Sequence, residues 1–314
     1  MYFVIRRLAV TIITLFLVSV FTFAAFNIIP GDPAILMLGT EADEEQLTAL
    51  RSEIGLDRSL IEQYISWFTG FLTGSLGYSM RFRGELISDL IIDRLPVTFF
   101  LACLSLLFII LISVPTALFS TTKKYSFLDR LANTFTAVSI STPGFFLGVL
   151  FIWIFGITLR FFVPGSYISY QEDFILFLGY LVFPALAIAI PNAAIVAKFL
   201  RGSIFQELRK GYVDTAYSKG ASQKTVLYRH VFKNALIPAI TLMGMIIGDI
   251  FSGSIIIEQV FTIPGIGRLL IASITSRDYP LIQTLVMYIA LIVILANTLV
   301  DIAIQIIDPR IRVR

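Results

Sequence analysis

One histidine, one cysteine and a charged share of only 14% leave this 314-residue chain few residues able to do chemistry. The lone Cys103 falls inside an apolar run, so no intrachain disulfide and no cysteine-based metal site can form. With His230 as the sole imidazole, a buried Ser/His peptidase site or a histidine-rich metal cage has no candidate residues. No G-x-x-x-x-G-K-[ST] loop occurs, so the chain by itself cannot bind and hydrolyse nucleotide in the Walker manner. No run of aspartate, glutamate and histidine marks a proton relay, and neither an internal repeat nor a low-complexity segment is visible. These absences argue against an enzyme.

What is abundant is apolar sequence. At 57% hydrophobic residues and a mean hydropathy of +0.87, the chain far exceeds the apolar share of about 45–50% typical of soluble domains. It reads as an all-α integral membrane protein with six transmembrane helices, since a span needs roughly 20 apolar residues as helix. The stretches are Leu8–Ile29, then one within Leu95–Thr122, one within Leu131–Leu159, one within Phe174–Ala197, one from about Asn234 to Ile257, and one from Tyr279 to about Ile307. The first is read as an uncleaved span, because a signal peptide's apolar stretch runs only about 7–15 residues. Pro115, Pro143, Pro184 and Pro191 fall inside spans and predict bent, packed helices.

The loops predict orientation. The N-terminus, the 123–130 loop, residues 198–233 and the C-terminal tail carry 16 Lys and Arg residues against 8 on the other side. Basic residues stay cytoplasmic, so both termini are expected there. Three regions follow: 1–29 as tail and first span, 30–94 as an extracytoplasmic helical insertion, and 95–314 as a five-helix core whose cytoplasmic loop covers about 198–233. In the insertion, Leu47, Leu50 and Ile54, then Leu60, Ile61, Tyr64, Ile65, Phe68, Phe71 and Leu72, recur at helical spacing with Trp67 beside them. Two short amphipathic helices on the membrane or over the bundle would account for this, as would a small packed lid.

Two carboxylates, Asp249 and Asp301, interrupt the last two spans. Asp301 is near the predicted cytoplasmic end, where bonding to a neighbouring helix end or pairing with Arg310 or Arg312 is the structural expectation. Asp249 lies deeper on a helix that also carries Gly244, Gly248 and Gly253, small residues that let another helix approach closely. Lining a pathway and bonding between helices both suit it.

Residues 209–238, R-K-G-Y-V-D-T-A-Y-S-K-G-A-S-Q-K-T-V-L-Y-R-H-V-F-K-N-A-L-I-P, form the one long basic and polar stretch between two spans. They predict a short helix ending at Gly220 and a second helical piece from about Ser222 that runs into apolar sequence. Such a stretch must lie against the bilayer surface or against another protein.

Within it, Asp214, Thr215, Ala216 and Gly220 resemble the E-A-A-x-x-x-G element of permease subunits of ATP-binding-cassette importers, with Thr215 in place of the first alanine. Pro238 follows Gly220 by 18 residues, a spacing similar to the dipeptide, oligopeptide and nickel branch, as are Ala216, Lys219, Gly220, Arg229, His230, Asn234 and Pro238 in order. Further matches to that branch span nearly the whole chain: R-R at Arg6, P-G-D-P from Pro30, G-L-D-R from Gly55, G-S-L-G-Y-S from Gly74, R-L-P at Arg94, S-x-x-x-P at Ser139, V-F-T-I-P-G-I-G-R from Val260, R-D-Y-P from Arg277, and D-P-R-I-R at the end.

The resemblance implies a type I importer-like permease fold in a bacterial-type plasma (inner) membrane and a non-catalytic subunit forming half of a translocation pathway for di- or oligopeptides. It implies a second permease subunit, forming a heterodimer, together with two ATPase subunits that bind ATP and magnesium and an extracytoplasmic solute-binding protein. This chain itself is expected to hold no cofactor and no nucleic acid. Asp214, Thr215, Ala216, Lys219 and Gly220 would couple to the ATPase, Ala216 by being small and Gly220 by permitting the turn. Gly244, Gly248, Asp249 and Gly253 are the pathway candidates. A nickel-chelate or other small-solute permease is the alternative within the family. A self-sufficient secondary transporter is the alternative outside it, though that class predicts inverted repeats or several intramembrane charges.

Overall fold

A computed structural model describes residues 2–28, 33–38, 42–53, 55–82, 85–122 and 126–307. Among these the regular structure is helical, apart from one antiparallel bridge between Tyr78 and Leu86. Five helices are long and apolar enough to cross a membrane, or six if a sharply bent pair counts as one span. The chain groups into two compact units, Met1–Thr98 with Pro264–Leu295, and Phe99–Ile263 with Ala296–Arg314.

In the first unit, α1 (Tyr2–Ile28) is a helix with apolar residues all round. The amphipathic insertion takes shape as α2 (Pro33–Leu38), α3 (Glu44–Glu53) and α4 (Leu60–Thr73); Ile54 lies outside the described residues. Helix α4 starts at a capping box. Ser59 Oγ accepts from the Glu62 amide, while the Glu62 carboxylate accepts from the Ser59 hydroxyl and amide, which hold its pKa below the usual carboxylate range. Its aromatic face meets α1: the Tyr64 hydroxyl is 2.8 Å from Ser19 Oγ, and Phe23 touches the rings of Tyr64 and Trp67. Leu60, Ile61, Ile65 and Leu72 remain exposed.

The rest of that unit closes around a buried carboxylate. Asp278, wholly buried, accepts from Ser79 Oγ and from the Arg81 and Leu281 amides, at 3.0 and 3.3 Å for the amides. It thereby ties the Tyr78–Leu86 hairpin to the start of α12 (Tyr279–Ile307). Ile87, Leu90 and Ile91 pack with Ile266, Leu269, Leu281 and Leu285. For that reason the second long helix, α5 (Ile87–Thr122), begins at Ile87 and not near Leu95: its first turns belong to a core of their own. Ile266 and Leu269 come from the short amphipathic α11 (Ile266–Ser276), whose first amide donates to Thr98 Oγ1 at 2.9 Å.

In the second unit, the expected third span is two helices, α6 (Phe127–Ser141) and α7 (Gly144–Thr158), meeting at 102°. The physical reason is Pro143. Thr142 before it is extended, and a proline disfavours helical backbone in the residue it follows. A Cβ on Gly144 would stand 3.0 Å from the Ala187 carbonyl, so the missing side chain brings the start of α7 onto α8 (Phe174–Glu207). Helix α8 carries Pro184 and Pro191 inside it and buries Ala185, Ala189, Ala193, Ala194 and Ala197. It continues beyond Ala197 because Leu200, Ser203 and Ile204 are buried too. Its Tyr180 hydroxyl donates to the Phe261 carbonyl at 2.8 Å and accepts from the Gly165 amide.

Candidate functional site

The stretch 209–238 folds as a packed elbow. A short helix, α9 (Gly211–Ser218), follows α8 after a turn, and α10 (Gln223–Val260) then runs without a break from the elbow into the fifth apolar stretch. Three local features shape it. Gly220 has φ +83°, its amide donates to the Tyr217 carbonyl and the Ala221 amide to the Ala216 carbonyl, a Schellman ending that needs a left-handed residue. Ser222 then caps α10 by accepting from the Thr225 amide. Residues Val226–Val231 widen to a π-helical turn, which places both Val226 and Val231 inward.

Under the elbow lies a core of Leu200, Ile204, Val213, Val226, Leu227, Val231 and Ala235, all buried. A polar clasp holds its edge. The Glu207 carboxylate accepts from Lys210 and, at 2.8 Å, from the Tyr212 hydroxyl, which in turn accepts from Asn234 at 3.3 Å. The end of α8, the start of α9 and the first third of α10 are thus joined through one tyrosine. The bond to Glu207 holds the Lys210 ammonium's pKa above the usual lysine value, and burial pushes the Tyr212 phenol up.

The sequence-predicted residues separate on this frame. Asp214, Thr215, Lys219 and Gly220 are exposed on one side of the elbow, while Ala216 turns inward and packs on the core. Its small size therefore serves the fit of α9 to its own bundle. Tyr217, 43% exposed beside Asp214 and Ser218, completes the outward face and was not singled out from the sequence. A hydroxylated aromatic inside the quoted motif was the available signal.

Next to the elbow, an ion pair between a half-buried arginine and a buried carboxylate fastens α6 to α8. Arg201 Nη2 donates to Asp129 Oδ1 at 2.9 Å, Arg201 Nη1 to Asn133, and Asn133 to Asp129, with the guanidinium lying over the Phe205 ring. Asn133 and Arg201 edge a cleft whose walls include Thr116, Ser120, Thr136, Lys198 and Phe205.

Along α10 the second group of candidates also divides. Gly244 is buried, and a Cβ there would meet Val300 of α12 at 2.6 Å, so this glycine makes room for a neighbouring helix. Gly248 and Gly253 are half-buried, Gly253 in ordinary contact range of Ile188. Asp249 is exposed, on a face that also presents Thr241, Met245, Ser252, Ile256 and Gln259 at intervals of three and four residues. Asp301 is half-buried, and the arginines considered for it lie outside the described residues.

The family described as the binding-protein-dependent transport system inner membrane component matches residues 110–313, and its N-terminal companion matches residues 1–102. "Probable peptide ABC transporter permease protein y4tP" of Sinorhizobium fredii is 34% identical over 310 residues, covering 99% of each chain. The glutathione transport system permease protein GsiC of Escherichia coli is 36% identical over 310 residues, covering 99% of this chain and 98% of that one. A crystal structure of an amino acid ABC transporter with histidines shares the fold, with a TM-score of 0.52 at 20% identity over 71% of this chain and 94% of that chain. Such components are permeases and not catalysts. The chain, matched over nearly its whole length, belongs to the family of binding-protein-dependent transport system inner membrane components.

Proposed function

We propose that this chain forms one half of the translocation pathway of an ATP-driven importer for di- or oligopeptides. In this reading a second, paralogous permease supplies the other half. Two cytoplasmic ATPase chains bind ATP and magnesium, and an extracytoplasmic binding protein delivers the solute. The basic elbow faces the cytoplasm, with both termini, as the excess of lysine and arginine on that side favours. Peptides are favoured because relatives at about one-third identity over the full length are named for peptides and for glutathione.

The observation that carries the proposal is the elbow itself. Its inner side is a closed apolar core and a satisfied polar clasp, whereas Asp214, Thr215, Tyr217, Ser218 and Lys219 stay outside with no role in that packing. This outward face would seat in a groove of the ATPase, and α10, continuous with the elbow, would carry ATPase movement into the membrane. Within the membrane, Gly248, Asp249 and Gly253 would lie along the path, since a charged side chain on an open helix face cannot be left against hydrocarbon. Gly244 would set the helix spacing behind it.

Gly220→Asp tests the elbow. In the reconstituted complex, uptake of dialanine should be lost and solute-stimulated ATP hydrolysis uncoupled from it, while the protein still reaches the membrane and assembles with its partner permease. Wild-type uptake with normal ATPase stimulation would show that the elbow is not the coupling element.

A further inference from the structure

Asp249 is exposed about two-thirds of the way along α10 and makes no hydrogen bond or ion pair among the described residues. Among the described residues of the elements packed on it, none supplies a cation. Across all six apolar stretches the charged residues are Asp249 and Asp301 alone, both negative. The nearest basic residue along α10 is Lys233, sixteen positions away, or about 24 Å at 1.5 Å per residue. The elements packed on this part of α10, namely α7, the apolar part of α8 and the end of α12, carry no lysine or arginine inside the span. One turn to either side the same face offers Met245 and Ser252, a thioether and a hydroxyl, and no second carboxylate. Among the described residues no cluster of three or more His, Cys, Asp or Glu could hold a metal ion.

We propose that Asp249 recognises the primary ammonium group of the solute in transit, the N-terminal amine of a peptide in the first instance. This rests on the pathway reading above and adds a charge preference to it. An intramembrane carboxylate without a protein counter-ion is poorly solvated, and a passing ammonium completes the pair. The negative field of the whole span favours cations and disfavours anions in the same place. A single carboxylate with a hydroxyl nearby holds an ammonium weakly enough to release it, as conduction requires. A ring of ligands would bind a metal and retain it.

The test uses the assembled complex with Cys103→Ser as background and a cysteine introduced by Ser252→Cys, one turn from Asp249. Its modification is followed with a cationic ethylammonium thiosulfonate and an anionic ethylsulfonate thiosulfonate. The cationic reagent should react faster, and Asp249→Asn should lower the cation-to-anion rate ratio about tenfold, as for a charge within roughly 6 Å in a partly aqueous path. Asp249→Glu should restore it. A rate ratio indifferent to Asp249→Asn, with both reagents reacting, would overturn ammonium recognition and leave the pathway standing. Failure of both reagents to react at Ser252→Cys would instead remove the pathway, and with it the proposal, in favour of a face packed against the partner permease.

Discussion

Gly244 allows a sharp quantitative test of how α10 is seated. A methyl group added there would lie 2.6 Å from Val300 Cγ1 and 3.4 Å from Val300 Cβ, where carbon atoms prefer about 3.5–4.0 Å. Valine is stiff at χ1, so it cannot swing aside as a long side chain would. Relief must come from moving the helices, and overpacking of this kind costs about 1–3 kcal/mol. Val300→Ala removes both γ carbons, leaving a Cβ contact that a small adjustment absorbs. The two substitutions should therefore couple. Gly244→Ala alone destabilises by about 1–3 kcal/mol, while the same change in a Val300→Ala background is close to neutral. Unfolding of the detergent-purified protein, followed thermally or by denaturing detergent, measures all four corners of the cycle. Strict additivity, with Gly244→Ala equally harmful in both backgrounds, would mean that α10 does not rest on Val300 at that position.

Other outcomes follow from the elbow and its neighbour. Arg201→Leu takes the guanidinium from the buried Asp129 carboxylate and leaves it the Asn133 amide, so it should destabilise by about 1–3 kcal/mol, whereas Arg201→Leu with Asp129→Leu should recover much of that; equal loss in single and double variants would contradict the pair. Gly220→Ala meets no atom within 4 Å, so its penalty is conformational alone, about 1–2 kcal/mol for a left-handed backbone. Gly220→Asn should be milder, and faster amide exchange over 211–222 should rank the variants in that order.

Much of this elbow was legible in the sequence, because its punctuation is local. A glycine in the left-handed region and a serine three residues before a threonine amide end one helix and begin the next within four residues, and no distant contact can overrule them. The apolar stretches were equally plain, but their directions were not. Hydropathy records that residues 131–159 are uncharged and is blind to the 102° corner at Pro143. Only the rule for the residue before a proline pointed there, and it also fits a gentle bend. The extension of α5 ahead of its apolar stretch left little trace for a related reason: Asp89, Asp93 and Arg94 look like loop residues, yet Ile87, Leu90 and Ile91 beside them form a buried face. Pairs such as Arg201 with Asp129, separated by 72 residues, leave no periodic trace. The inward turn of Ala216 depends on the phase of α9 set by Val213 and the core beneath it.

The unbroken run from Gln223 to Val260 has a mechanical consequence. At about 1.5 Å per residue it is a rod some 57 Å long, gripped at Asn234 by the clasp around Tyr212 and bearing Asp249 about 22 Å further along. Successive side chains on such a rod stand about 100° apart, so twisting it by less than half of one step turns Asp249 from the open side toward the space beside Gly248. A modest torque at the handle, carried past Pro238 inside the helix, is enough to present or withdraw the charge.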